Sequence, residues 1–403
     1  MEYVRREISS LFLEVSKVEK VGIVGIGQTK FRSKRRDVNI PEMIYEAVKR
    51  ALDDAQLSPQ DIDAILIGNM DHFEGINFSE MWTGVEAAPG YMKPVMKVAT
   101  GGTTGSSLAI CGYHYVASGI YKNVLVIGWE KLNEGGATTG IITAFDPVWE
   151  RPSLAGALGP LALMASMYQD KYGATPEQAA KVTVKNRRNA ANNPFAHLQM
   201  PDITVDYVMS SQMISYPLRL HDCCPQSEGA CAVIYANEEE AKKITDNPAW
   251  FKALETAHYY TFGTDDAMYD LPTATIASKK AYKKAGIINP VKDLDVAEIY
   301  EPTSWSELAW TEALGFAKFG EGGKLLDEGI TEMGGELPVN PSGGVLSTNP
   351  IGATALVRVA EAAIQVMGRG GKRQVPDVEN ALAMGFGGSL WTEILILGKE
   401  LMR

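Results

Sequence analysis

Several stretches of this chain carry residue types that could do chemistry. One is Ala99-Thr100-Gly101-Gly102-Thr103-Thr104-Gly105, a pair of glycines opening a helical pattern over 103–119. A helix N-terminus offers unpaired N–H groups and the positive end of the helix dipole, so it can stabilise an anion. Thr103 and Thr104 add hydroxyls there, but nothing adjacent would activate one as a nucleophile. Another is Tyr300, ending the apolar run Val296-Ala297-Glu298-Ile299-Tyr300 and followed by Glu301-Pro302. A phenol can give or take a proton, although a pKa of about 10 makes it a poor base at neutral pH; a tyrosine can also simply pack at a strand end. A third is Asn349 in Asn349-Pro350-Ile351-Gly352-Ala353-Thr354. Its amide can hold an oxyanion or stabilise the turn before the proline.

Other groups are less specific. Gly343-Gly344 and Gly387-Gly388 could present backbone N–H groups or merely permit tight turns. Lys181, Lys185, Arg187 and Arg188 cluster on a helical pattern over 176–192 and could meet phosphates or form a solvated basic face. His72 and Glu74 occupy a loop after a strand, which could reach a site or stay in solvent. His258-Tyr259-Tyr260 reads as core packing. Met81, Trp82, Trp149 and Trp305 suggest a roomy apolar pocket, or core.

The elements that must position these groups alternate. Buried strands are expected at 21–27, 63–68, 123–128, 229–235, 296–300, 381–385 and 393–398, separated by helices at about 40–55, 103–119, 306–314 and 353–368. Such alternation, with strands almost wholly apolar, means an α/β protein with covered sheets. Residues 133–215 break the rhythm and read as a large insertion. The expected organisation is an extension over 1–20, a first half over 21–240 that contains the insertion, and a second half over 248–403 that weakly repeats the first.

A hydrophobic fraction of 45% over 403 residues supports large cores, and a net charge of −11 argues against nucleic-acid or membrane-surface binding. No run of about 18 apolar residues suggests a membrane helix. Cys111, Cys223, Cys224 and Cys231 are too clustered for a disulfide framework, and the lack of a C-x-x-C leaves no obvious zinc site. A cytoplasmic setting is expected.

Four segments in order resemble the thiolase superfamily, and within it the sterol-carrier-protein-x type. They are Val116-Ala117-Ser118-Gly119 leading to Val124-Leu125-Val126-Ile127-Gly128; Asp222-Cys223-Cys224-Pro225-Gln226-Ser227-Glu228-Gly229; Val339-Asn340-Pro341-Ser342-Gly343-Gly344 leading to Asn349-Pro350-Ile351-Gly352-Ala353-Thr354; and Gly385-Phe386-Gly387-Gly388. The resemblance implies a duplicated five-layer αβαβα sandwich with an inserted loop domain and active sites at a homodimer interface. It puts the nucleophilic cysteine's position at Gly102, the first catalytic histidine's at Tyr300, the second's at Asn349 and the second cysteine's at Gly385. Lys185, Arg187 and Arg188 become the implied contacts for coenzyme A, and Gly343, Gly344, Gly387 and Gly388 those for a thioester or oxyanion.

A chain without the cysteine but with the tyrosine resembles the branch that cleaves steroid side chains by retro-aldol reaction. That branch implies a β-hydroxyacyl-CoA substrate, no organic cofactor, no metal in this chain, and a separate small zinc-ribbon/OB-fold subunit. The alternatives are an unusual Claisen-type acyltransferase and a non-catalytic acyl-CoA-binding scaffold.

Overall fold

The computed structural model describes residues 18–152, 156–259, 268–388 and 390–401. The extension expected over 1–20 falls outside this range up to residue 17, as does Tyr260.

The strands in chain order are β1 (Val21–Gln28), β2 (Ala64–Gly68), β3 (Val95–Lys97), β4 (Asn123–Glu130), β5 (Met213–Ser215), β6 (Leu218–Arg219), β7 (Gly229–Asn237), β8 (Ala249–Ala257), β9 (Val296–Glu298), β10 (Asn380–Gly387) and β11 (Trp391–Gly398). Nine of them form one sheet in the order β3-β2-β4-β7-β1-β8-β11-β10-β9. The two half-sheets meet through the antiparallel pairs Gly22–Trp250 and Ile23–Ala249. Strand β8 is not anticipated from the sequence. Lys252 and Glu255 interrupt its apolar run, and only part of it is buried.

Helix α1 (Ile40–Ala55) begins with a capping box between Asn39 and Glu42 and has Pro41 in its first turn, a strong start signal. It packs on β1 and β7. Gly25 makes this approach possible: a Cβ there would stand 2.7 Å from the Ala51 carbonyl oxygen. Helices α2 (Thr104–Ala117), α3 (Leu158–Tyr172) and α4 (Pro176–Ala190) follow, then α5 (Pro272–Ala285), α6 (Ser304–Ala313) and α7 (Ile351–Val366). The central layer is α2 against α7, and α7 also lies on both β4 and β10; α5 covers β8 and β11 on the outside. Helix–sheet–helix–sheet–helix layering results, as the resemblance implies. Among the described residues no helix is long and apolar enough to cross a membrane.

The strand leading to Tyr300 is held by a buried ion pair. Arg358 on α7 reaches Glu298 on β9 at 2.6 Å, and both also bond the Ser342 hydroxyl. This links the end of β9 to the central helix that follows Asn349.

Candidate active site

Helix α2 starts from a single 3-10 turn over Gly101–Thr103. The hydroxyls at this entrance are occupied. Thr104 Oγ1 donates to the Gly101 carbonyl and accepts from the Thr100 N–H, while Thr103 Oγ1 donates to the Thr100 carbonyl. Gly102 itself faces β10 so closely that a Cβ would stand 2.5 Å from the Phe386 carbonyl oxygen and 3.0 Å from the Gly387 Cα. That is closer than real Cβ atoms approach, and the obstacle is backbone. The second position that would carry a cysteine is closed too, since a Cβ on Gly385 would run into the Ser106 hydroxyl.

Segments distant in sequence converge on a cavity of about 140 Å³ lined by Gly102, Cys224, Tyr300, Asn349, Gly387 and Gly388. Its remaining wall is apolar, including Ile141, Phe145, Leu158, Leu161, Met164 and Phe386. A second cavity of about 210 Å³ adjoins it, sharing Cys224, Asn349 and Ile351. A larger cleft of about 620 Å³ lies elsewhere and contains none of these residues. Its Arg369 and Arg373 are already paired with Asp54 and Glu361.

Tyr300 is buried, and removal from water pushes its phenol well above the usual tyrosine range, with the Thr354 hydroxyl acting against that rise. It is therefore a neutral phenol, two residues beyond the end of β9. Asn349 is fixed on both sides of its amide: Oδ1 accepts from Thr354 Oγ1 at 2.8 Å, and Nδ2 donates to Cys224 Sγ at 3.2 Å. Its main chain is tied to Ser227, whose hydroxyl accepts the Asn349 N–H and also bonds His197 Nδ1.

Cys224 is the residue that sequence reasoning passed over. Its N–H donates to the Pro302 carbonyl at 3.0 Å, and Cys223 bridges to Thr303. Burial pushes its thiol up to about 12, while the Asn349 amide pulls the other way.

Other expected site residues lie elsewhere. Lys185 is fully buried, its ammonium paired with Glu307 and bonded to the Val339 carbonyl. Arg187 is buried against His221 Nδ1 and the Cys223 carbonyl, and burial lowers its pKa to about 10. Neither cation is available to a phosphate, because α4 is wedged against α6 and the segment after residue 218. Arg188 is exposed and bonds the Ile203 carbonyl. Gly343 and Gly344 do not line the cavity. They form a turn with φ of +100° and +63°, packed on Ala190 and Glu301 respectively, so glycine serves conformation there.

The aromatic hints fail as well: Trp305 is core, and Met81 and Trp149 are exposed. His72 is exposed, whereas Glu74 turns inward beside Glu130. Burial raises both carboxyls; Glu74 adds to the rise at Glu130, whereas the hydrogen bond with Glu130 acts against the rise at Glu74. Glu130 accepts the N–H groups of Met70 and Gly352, holding the first turn of α7 against the end of β2.

Comparison with known proteins agrees with this architecture. Residues 21–203 match the family model for the thiolase N-terminal domain, and residues 254–399 that for the thiolase C-terminal domain-like family. An acetyl-CoA acetyltransferase of Methanothermobacter thermautotrophicus is 35% identical, over 92% of this chain and 96% of its own length. Sterol carrier protein 2 of Oryctolagus cuniculus is 30% identical, over 97% of this chain and 74% of its own length. The solved Ltp2-ChsH2(DUF35) aldolase superposes with a TM-score of 0.84 at 28% identity, covering 96% of this chain and all of that one. With both thiolase domains matched in order and such relatives along nearly its whole length, the chain belongs to the thiolase superfamily, as a protein of the sterol-carrier-protein-x kind.

Proposed function

We propose that this chain makes or breaks a carbon–carbon bond in an acyl-CoA thioester without a covalent acyl-enzyme, in the form of retro-aldol cleavage of a β-hydroxyacyl-CoA. The products are an aldehyde or ketone and a shorter acyl-CoA. One observation carries the reading: the space where a nucleophilic side chain would project from the helix entrance is filled by the Phe386 carbonyl. Retro-aldol chemistry needs no nucleophile. It needs a group that takes the β-hydroxyl proton and donors that hold the thioester enolate. Tyr300 is assigned the first task. The second Nδ2 hydrogen of Asn349 and the backbone N–H groups near Gly102 and Gly387 are assigned the other.

The acyltransferase reading draws support from the acetyltransferase relative. It would require Cys224 as the acyl acceptor, since among the described residues no other cysteine lines the cavity. A thiol raised to about 12 holds almost no thiolate at neutral pH, which favours the aldolase.

Two partners belong to the same reading. The aldolase neighbour is a complex of two named components, and a separate small subunit is proposed here by analogy. A second copy of this chain would pair along edge strand β3, beside which Phe78, Met81, Tyr91, Met92 and Met96 are exposed. No step calls for an organic cofactor, since the thioester itself stabilises the carbanion.

The test is incubation of the protein, with and without a co-encoded OB-fold subunit, with panels of β-hydroxyacyl-CoA and β-ketoacyl-CoA. Aldehyde or ketone released without added CoA supports the proposal. Cleavage only when CoA is supplied indicates a thiolase, and no turnover of either panel a scaffold.

A further inference from the structure

The retro-aldol reading leaves one proton without a carrier. When the Cα–Cβ bond breaks, its electron pair stays on Cα as the thioester enolate, and that carbon must gain a proton. Tyr300 cannot be both acceptor and donor in one event. As a neutral phenol it can take the β-hydroxyl proton only by passing on its own.

We propose that Cys224 is the catalytic acid that delivers the proton to the α-carbon, within a relay from the substrate β-hydroxyl through Tyr300. This assignment rests on the aldolase reading above. The geometry that supports it is local. Cys224 lines the same cavity as Tyr300 and Asn349, and the two lie near enough that a thiolate at Cys224 would disfavour a phenolate at Tyr300. The sulfur accepts the Asn349 amide at 3.2 Å, so a thiolate formed in passing meets a donor already aimed at it. Asn349 cannot turn away, because Thr354 holds its other side at 2.8 Å. The Cys224 backbone is pinned to the Pro302 carbonyl, two residues beyond Tyr300. Loop 222–228 and the segment after β9 therefore hold thiol and phenol as a unit.

The balance closes without a co-reactant. The β-hydroxyl proton goes to the Tyr300 oxygen, the Tyr300 proton to Cys224 Sγ, and the Cys224 proton to Cα. One hydrogen has moved from the β-oxygen to the α-carbon, and both side chains end as they began. Burial suits this arrangement. It keeps the thiol protonated at neutral pH, as an acid must be before it acts, and a thiol at about 12 remains far more acidic than the α-carbon of a thioester.

The experiment uses a β-hydroxyacyl-CoA with a methyl group on the α-carbon, cleaved in D₂O by the full chain together with any partner subunit it needs. Wild-type protein is expected to give acyl-CoA deuterated at Cα with a single handedness. Cys224→Ala is expected to lower kcat about 100-fold, the usual worth of a general acid, with little change in KM, and to give product of mixed handedness because water now protonates the enolate. A merely structural role would slow the reaction without mixing the product. Cys224→Ser, which keeps a donor of similar size, should retain one-handed product at a reduced rate and covers a folding failure of the alanine variant. One-handed product from Cys224→Ala overturns the assignment of Cys224 and leaves the aldolase standing. A wild-type protein that cleaves no β-hydroxyacyl-CoA overturns both.

Discussion

The Phe386 carbonyl oxygen on β10 and the Gly102 Cα at the entrance to α2 are in such close register that no side chain fits between them; a Cβ on Gly102 would lie 2.5 Å from that oxygen. Gly102→Cys should therefore not recreate a thiolase. Backbone cannot yield as a flexible side chain would, and overpacking of this kind costs about 1–3 kcal/mol. The variant is expected to melt at a lower temperature and to show no acyl adduct by intact-mass measurement after incubation with acetyl-CoA. A stable adduct on the introduced thiol would count against a closed nucleophile position.

Tyr300→Phe removes the phenol while keeping the ring that packs 6.3 Å from the Phe386 ring. Cleavage should fall by about 10²–10⁴-fold with the melting temperature nearly unchanged. Burial holds the Tyr300 phenol above its ordinary value, so ionisation of this group should not cut the rate as pH rises from 7 through 10. A wild-type pH–rate profile bending downward near 9, with the bend absent in Tyr300→Phe, would contradict the neutral-phenol assignment.

Lys185 and Glu307 are both buried and bonded to each other. Removing one partner leaves an uncompensated charge, which costs about 3–5 kcal/mol. Lys185→Met should destabilise the protein by that order in urea unfolding. CoA affinity, measured on protein that is still folded, should not change. Arg188→Ala, at an exposed site, should leave stability within about 0.5 kcal/mol, and is the variant in which weaker CoA binding would reveal a phosphate contact.

Glu393 lies on β11, its carboxylate accepting from the Ser107 hydroxyl at 3.0 Å, and burial pushes its pKa up to about 7. Folded protein therefore keeps this proton between about pH 4.5 and 7 while unfolded chain loses it. The folded state binds more protons in that window, so stability from this group is fully present below pH 4.5 and is lost as pH rises to 7, by about 3 kcal/mol. Glu393→Gln should remove that slope. Unfolding curves of both proteins at pH 5 and 7 check it, and equal slopes would rule it out.

Much of this site was legible because its residues sit at ends that sequence marks well. Gly102 opens a helix, Tyr300 closes an apolar run, and Asn349 precedes a proline and a long helix. What was not legible depends on which way a side chain turns. The direction of Cys224 is set by Cys223 pairing with Thr303, a contact between segments far apart in the chain, and no local pattern encodes it. By composition, the basic residues on α4 read equally as phosphate contacts or as a solvated face. Lys185 and Arg187 turn inward because α4 is enclosed on several sides, with Glu307 and the Cys223 carbonyl waiting for them. The sequence of β8 hid a central strand because Lys252 and Glu255 lie at positions that stay partly open.

The position of β1 has a consequence for biosynthesis. Among the described residues, the first strand made, β1, is hydrogen-bonded to β7 on one side and to Ala249 and Trp250 of β8 on the other. Its apolar edges stay unpaired until more than half the chain has been made. Contacts of such long separation form slowly, and exposed strand edges in the meantime invite aggregation. Expression yield should therefore depend on translation speed and chaperone supply more steeply than the stability of the finished protein would suggest.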